Sequence, residues 1–594
     1  MMASDREIRL WAPLAKRADA VVVPATPRGR LDRPLSAEEL SGAQWLPMAR
    51  LDDEHWAIAL PAGTDYLLSV DGGDPRPDPR SARQPYGVHG PSRVFDETAF
   101  SWTDGEWGGL DVLGEVFYEL HVGTFTPQGT LDAAIDRLDH LVNLGVRVVE
   151  LMPVVPFPGE RGWGYDGVSL YAVHEAYGGP EALQRFVDAC HARRLGVCLD
   201  VVYNHFGPAG NYASVFAPYL TGRHQTPWGD AINLDDAHSD GVRAFITDNA
   251  CRWLRDFHAD ALRLDAVHEL RDDSPVHILA ELSRRVDDLR PALGRPVSLV
   301  AESDRNQPST VLSRDDGGLG LDAQWADDVH HALHAYLTGE RFGYYVDFGS
   351  PEVLGKALEH VFVHDGSWST FRGRPWGAPV PDDLDRRRFV VFTQNHDQVG
   401  NRGRGDRPDA RLEPGIVAGG AAILLLGPFT PMLFQGQEWG TTRPFQFFTD
   451  HDPDLGRAVT AGRLREFQGH EWSQIYGTDA AVPDPQSPAT FTASKLDWDE
   501  PSRPEHARML SWYRTLIDLR RAELPGDGSP ATTAHGPGWF SMTYGPFTVV
   551  LAPGTASADV AVRASGLVTG FGQAELDTSG VLYLPGGSVA VLRN

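Results

Sequence analysis

The chain has 594 residues, 42% of them hydrophobic, which is too long for one ordinary domain and apolar enough for a large packed core. Against 53 Lys and Arg stand 81 Asp and Glu, a formal net charge of −28, which argues against nucleic acid or anionic membrane as a partner because both present negative charge. The three cysteines, Cys190, Cys198 and Cys251, are odd in number and lie outside any CxxC spacing, so reduced buried thiols and a cytoplasmic location are expected.

Met1 to Glu7 has neither the basic nor the apolar block of a signal peptide. From residue 9 to about 100, short apolar runs such as Arg9-Leu-Trp-Ala-Pro13, Ala20-Val-Val-Val23 and Tyr66-Leu-Leu-Ser-Val70 alternate with Pro and Gly clusters, predicting a small antiparallel β-sandwich. Trp11, Trp45 and Trp56 could form a sugar-stacking face, with the core the expected place for at least one of them. The turn-rich stretch Asp71 to Arg80 is a connector.

From residue 116 the rhythm becomes strand, helix, strand. Val116–His121, Val146–Leu151, the Val197, Ala261 and Val297 runs, Leu321–Trp325, and the Phe389 and Pro431 runs give eight strands. Between them lie helical patterns: one capped by Thr130 with Leu131, Ile135, Leu138, Leu141 and Val142 on one face; one from Glu181 to Leu195 closed by Gly196; one over 240–258; and one from about Pro275 to Leu289. Eight strands alternating with helices predict an α/β fold, a (β/α)8 TIM barrel whose loops at the strands' C-terminal ends build the site. The uncharged run Gly415 to Gln437 is long enough to span a bilayer, but Pro428, Pro431 and its glycines favour a helix ending near Leu426 and then a strand. A helix from Pro504 to Leu524 precedes short alternating runs to the end of the chain. The expected division is 1–105 for the N-terminal β-sandwich, 106–525 for the barrel and 526–594 for a C-terminal β domain.

Four of the strand-like runs end in acids or histidines: Val197-Cys-Leu-Asp-Val-Val-Tyr-Asn-His205, Ala261-Leu-Arg-Leu-Asp-Ala-Val-His268, Val297-Ser-Leu-Val-Ala-Glu302 and Phe389-Val-Val-Phe-Thr-Gln-Asn-His-Asp397. A carboxylate on a buried strand is costly unless chemistry uses it. Parallel strands in one barrel would bring these ends to one mouth, and two carboxylates flanking a glycosidic bond can attack the sugar carbon and protonate the departing oxygen. Asp265 and Glu302 are the natural pair. Arg263, on the same strand face, should favour the ionised Asp265 of a nucleophile, and the apolar run before Glu302 should suit an acid. Asp397 is the third member, with His205, His268 and His396 expected to donate to sugar hydroxyls. A lone Asp at a strand end is usually a cap, but four motifs in barrel order outweigh that reading. Asp200 is as readily a partner that orients Arg263 as a substrate contact. Asn204 reads as a loop-positioning residue, and His330 and His331, adjacent on a helix, read as a solvated pair. No convincing ligand set for a metal ion stands out, and no cofactor is expected.

These four runs resemble the four signature regions of the α-amylase family of glycoside hydrolases, and Arg9 to Pro13 resembles the "WAP" opening of the sandwich that often precedes the family's barrel. The resemblance implies a retaining mechanism with Asp265 as nucleophile, Glu302 as general acid/base and Asp397 as transition-state stabiliser. Many amylases carry Lys-His at the end of the second region, whereas Val267 precedes His268 here, so contacts on the leaving-group side are expected to differ. Within the family, the loops Gly162–Val168, Tyr203–Tyr212, Thr226–Asn233, Thr393–Arg402 and Pro444–Asp450 are similar to those of members that release trehalose. That implies cleavage of the α-1,4 bond next to the terminal trehalose of a maltooligosyl trehalose, an α-glucan substrate. Tyr165 and Trp228 are then candidate platforms for a kinked disaccharide on the leaving-group side, and Phe371 and Arg372 candidate walls. Two rivals stand beside this reading: a glucan branching enzyme, which passes the glycosyl group to a sugar, and a carbohydrate-binding protein with a degenerate barrel, which intact Asp265, Glu302 and Asp397 disfavour.

Overall fold

The computed structural model describes residues 5–23, 29–469, 473–476 and 481–594. At its centre eight parallel strands close a barrel: β1 (Phe117–Leu120), β2 (Val148–Leu151), β3 (Gly196–Val201), β4 (Ala261–Leu264), β5 (Ser298–Ala301), β6 (Ala323–Trp325), β7 (Phe389–Phe392) and β8 (Thr430–Phe434), which follow one another around the ring in sequence order. Every residue of these strands is buried, because the barrel interior fills one face and helices cover the other; near-continuous apolar runs are the result.

The outer layer consists of α1 (Leu138–Leu144), α2 (Gly179–His191), α3 (Ser239–Arg255), α4 (Ile278–Leu293), α5 (Asp327–Thr338), α6 (Pro351–His360), α7 (Pro414–Leu425) and α8 (Pro504–Glu523). Its alternation with the strands is imperfect. β5 and β6 are joined through a single 3-10 turn, Pro308–Thr310, whereas both α5 and α6 lie between β6 and β7. The helix expected from Thr130 is two helices, Leu131–Ile135 and α1. Thr130 does cap the first, its hydroxyl accepting from Ala133 N at 3.2 Å, but the break turns Val142 outward to 40% exposure. α2 ends four residues before Leu195; Arg194 takes the left-handed backbone (φ 62°), and Gly196 opens β3 instead of closing the helix.

α7 is apolar all round because it is enclosed, lying against α8 and the C-terminal sheet. A Cβ on Gly415 would lie 1.8 Å from Gly587 O and one on Gly419 would lie 2.3 Å from Leu551 Cδ1; the bare backbone is what lets the sheet come this close. Among the described residues no helix is long and apolar enough to cross a membrane.

Both flanking regions are pairs of antiparallel sheets. At the N-terminal end, Asp5–Trp11, His55–Pro61 and Ala49–Arg50 face a sheet of Gln44–Pro47, Ala18–Val22, Asp65–Val70 and Ser92–Arg93, over a core containing Leu10, Trp56, Leu60, Tyr66 and Leu68. Its three tryptophans do not make one face. Trp56 is core, Trp45 is exposed, and Trp11 points into the barrel layer, edge-on to Tyr219 at 5.2 Å and against Gly241 of α3. At the C-terminal end, a five-stranded sheet containing Thr532–Gly536 and Ser588–Arg593 stands beside a three-stranded one containing Val581–Leu584.

Candidate active site

The mouth of the barrel is organised by a buried guanidinium. Strand alternation points Arg263 of β4 to the interior, and its side chain is fully enclosed. Nη1 donates to Asp200 Oδ2 at 2.7 Å and to Asp265 Oδ1 at 2.9 Å, while Nη2 lies 2.7 Å from Glu302 Oε2, an ion-pair contact with too poor an angle for a hydrogen bond. The Trp325 ring, at the end of β6, lies 4.2 Å from the guanidinium carbon and adds a cation–π contact. One cation thus serves acids from the ends of β3, β4 and β5; burial by itself would lower its pKa, but the charges of Asp200, Glu302 and Asp265 outweigh that and raise it.

Asp265 leaves β4 at its last turn of pairing and is gripped again by Asn204, whose Nδ2 donates to Oδ2 at 2.7 Å and to the backbone oxygen at 2.8 Å. Asn204 is therefore a positioning residue for the candidate nucleophile. Directly after it, Ala266 adopts the left-handed region (φ 37°, ψ 51°), which a non-glycine residue holds only under constraint. This turn aims Ala266 N at Glu302 Oε2, 2.8 Å away. Glu302 is accordingly not in the apolar setting expected for it. Val297 to Ala301 run through the strand, but the carboxylate itself emerges beside Arg263 and a backbone N–H, with 17% of the side chain exposed.

Asp397 lies in a short helix, His396–Gly400, capped by Asn395 accepting from Gln398 N at 2.7 Å. Asn401 Nδ2 donates to Asp397 Oδ1 at 3.0 Å, and more than a third of the carboxylate side chain is open. His396 is held beneath it by Glu119 at the end of β1, with Nδ1 2.5 Å from Oε1 and its backbone N 2.9 Å from Oε2. Glu119 went unnoticed in the sequence, although Val116-Phe-Tyr-Glu-Leu-His121 places an acid in a buried strand as the other motifs do. Burial by itself would lower the His396 pKa, but the charges of Asp397 and Glu119 outweigh it and hold the imidazole at about 10. With an ordinary value of 6.5 in the unfolded chain, the imidazolium stabilises the fold fully below pH 6.5, and that contribution is lost as pH rises to 10. Urea unfolding should therefore show stability falling across this window, by at most about 5 kcal/mol, with a smaller fall in His396→Gln. An unchanged fall in the variant would assign the effect to another group.

Tyr165 joins the two halves of the site. Its hydroxyl donates to Asp200 at 2.6 Å and lies 2.8 Å from His396 Nε2, with the ring stacked on that imidazole at 5.1 Å. Burial pushes the Asp200 carboxyl up to about 7, against the pull of Arg263; enclosed by Arg263 and Tyr165, it is placed to orient them rather than to meet a sugar. Both ring nitrogens of His205 are also engaged, Nδ1 with Asn204 Oδ1 and Nε2 with Tyr165 O at 3.0 Å. Of the three histidines expected to donate to sugar, His268 is the one whose ring has no protein partner among the described residues. Trp228, 49% exposed, lies flat on His205 with centroids 4.1 Å apart.

On the Glu302 side, the loop after β5 turns outward. Arg372 Nη2 donates to Asp304 Oδ2 at 3.0 Å and its guanidinium carbon lies 4.7 Å from the Trp376 ring, whose Nε1 donates to Asp304 O at 2.8 Å. With His268, Glu269 and Arg305, Asp304 and Trp376 line a groove of about 550 Å³. Phe371 is 51% exposed beside Arg372.

The histidines of α5 differ from expectation. His330 is buried and stacked on His334 at 5.3 Å, and His331 packs on Tyr344 and Phe348. The segment Phe342–Phe348 covers the helix face that the local sequence leaves open, and burial lowers both imidazoles, His331 to about 3. Among the described residues, His224, Asp235 and Asp273 come nearest to a metal-ligand set; Arg223, 3.6 Å from Asp273 and 3.9 Å from Asp235, already supplies positive charge there.

Residues 94–217 match the family described as Alpha amylase, catalytic domain. The malto-oligosyltrehalose trehalohydrolase of Arthrobacter ramosus is 51% identical over 99% of this chain and 100% of its own length. That of Rhizobium sp. (strain M-11) is 53% identical over 79% of each chain. A crystal structure from Salmonella typhimurium, assigned as an alpha amylase, superposes with a TM-score of 0.87 at 35% identity, covering 99% of this chain and 98% of that one. A 1,4-alpha-glucan branching enzyme of Corynebacterium jeikeium matches more distantly, at 27% identity over 66% of this chain.

Proposed function

Since the chain belongs to the malto-oligosyltrehalose trehalohydrolases, within the α-amylase family of glycoside hydrolases, we propose that Asp265 is its nucleophile, Glu302 its general acid and base, and Asp397 the group that supports the transition state. The enzyme cleaves the α-1,4-glucosidic bond next to the terminal trehalose of a maltooligosyl trehalose. The observation that carries the residue roles is the single guanidinium of Arg263, 2.9 Å from Asp265 and 2.7 Å from Glu302. Retaining chemistry needs its two carboxyl groups only about 5–5.5 Å apart, and one guanidinium touching both favours that close pairing over the wide one of inverting enzymes.

Asp265 attacks the anomeric carbon as its bond to the bridging oxygen breaks, and Glu302 gives that oxygen a proton, so that trehalose leaves. Glu302 then takes a proton from water, which attacks the same carbon and frees the maltooligosaccharide and Asp265. Asp397, open to the mouth, accepts hydroxyls of the reacting ring. His268 lines the groove on the Glu302 side, where the leaving disaccharide would lie, and Arg372, with Phe371 beside it, reaches that groove through Asp304 and Trp376. The division proposed is an N-terminal region, 1–105, and a C-terminal region, 526–594, on either side of a catalytic unit at 106–525.

Incubation with maltotriosyl trehalose and, separately, with amylose tests the reading. Free trehalose from the first and no new α-1,6 branches in the second are expected. Branching of amylose without trehalose release would reassign the chain to glycosyl transfer.

A further inference from the structure

β6 lies between β5, which delivers Glu302, and β7, which leads to Asp397. Its register pairs Gln324 with Ala301 on one side and Trp325 with Val390 on the other, and Ala326 N donates to Val390 O at 2.9 Å. The next residue, Asp327, opens α5 and so stands on the rim of the mouth between the proposed acid/base and the third carboxylate. It is half-buried, and among the described residues it has neither a hydrogen bond nor an ion pair.

The acids that Asp327 stands among each have a donor. Asp200 and Asp265 have Arg263, Glu302 has Ala266 N, Asp397 has Asn401 and Asp304 has Arg372. Asp328, one residue on, takes donors from Val363 N, His364 N and Asn306 Nδ2. A half-buried acid with no donor costs free energy in the empty protein, a cost that sugar hydroxyls offset when they fill the site. Burial, then the charges of Glu302 and Asp397, push its carboxyl well above the usual range, so it can both donate to and accept from a hydroxyl pair.

We propose that Asp327 is a substrate-binding residue that holds hydroxyls of the glucose unit on the leaving side of the cleaved bond, the first ring of the trehalose moiety. The reacting ring lies at Asp265 and Asp397; Asp327 follows β6, the strand next to the one that delivers Glu302, and feels the charges of Glu302, Asp397 and Asp304, which puts it beside the acid/base and the Asp304 loop that lines the groove for the leaving sugar. The inference rests on Glu302 and Asp397 flanking that bond, and wild-type-like turnover by Glu302→Gln would remove this premise independently of Asp327.

The test compares kcat/KM for maltotriosyl trehalose with kcat/KM for α-glucosyl fluoride, which carries no leaving sugar. Asp327→Ala should lose roughly 10- to 100-fold on the first, mostly through KM, and at least tenfold less on the second. Asp327→Asn, which keeps the shape and a hydrogen-bonding group, should recover part of the loss, and it carries the comparison if the alanine variant melts early. Equal losses on both substrates, or no loss on either, would overturn the assignment.

Discussion

Asp265→Asn is expected to lower kcat for maltotriosyl trehalose by roughly 10⁴-fold or more while the substrate still binds within about tenfold of wild type. The side chain is held by Asn204 and Arg263 on a strand whose burial does not depend on its charge, so the amide should occupy the same place without a nucleophilic oxygen. Glu302→Gln should be as inactive on this substrate, for a different reason: the bridging oxygen would have to leave unprotonated. The two variants separate on α-glucosyl fluoride, because fluoride departs without a proton. Glu302→Gln should recover formation of the glycosyl-enzyme with that substrate, seen as a burst of fluoride, and Asp265→Asn should not. A burst from Asp265→Asn, or wild-type-like trehalose release by either variant, would sink the role assignment.

Replacing Arg263 by Met should cost about 3–5 kcal/mol of stability, measured by urea denaturation, because it leaves a buried group of acids without its cation. Asp200 and Asp265 share Nη1 and Glu302 lies on Nη2; without the guanidinium, protons must replace it. A protonated Asp265 is no nucleophile, so kcat at neutral pH should also fall, by at least roughly 100-fold. Arg263→Lys should fall between, since one ammonium cannot span three carboxylates as a planar fork does. If Arg263→Met matched wild type in both stability and turnover, the acids would have to be neutralised by something other than this residue.

All eight barrel strands, their order and the C-terminal helix Pro504–Glu523 were legible in the sequence, because each depends on a local apolar pattern that a buried parallel strand or amphipathic helix imposes. So was the gathering of Asp265, Glu302 and Asp397: parallel strands present their C-terminal ends to one mouth whatever lies between them. Helix boundaries were less legible where a turn could be made by an ordinary residue, as Arg194 does in place of the expected glycine.

What each acid touches was a matter for the tertiary structure. Glu302 sits beside a cation and a backbone N–H despite its apolar flank, His396 owes its charge to Asp397 beside it and to Glu119, 277 residues away, and Asp327 became notable only because nothing among the described residues bonds to it. His330 and His331 are covered by a segment that the helix pattern does not include, and Trp11 leaves its own sheet's core for Tyr219 and α3. Backbone pattern and strand order follow from neighbours along the chain. Charge state, exposure and hydrogen-bond partners follow from neighbours in space, which closure of the barrel selects from distant parts of the sequence.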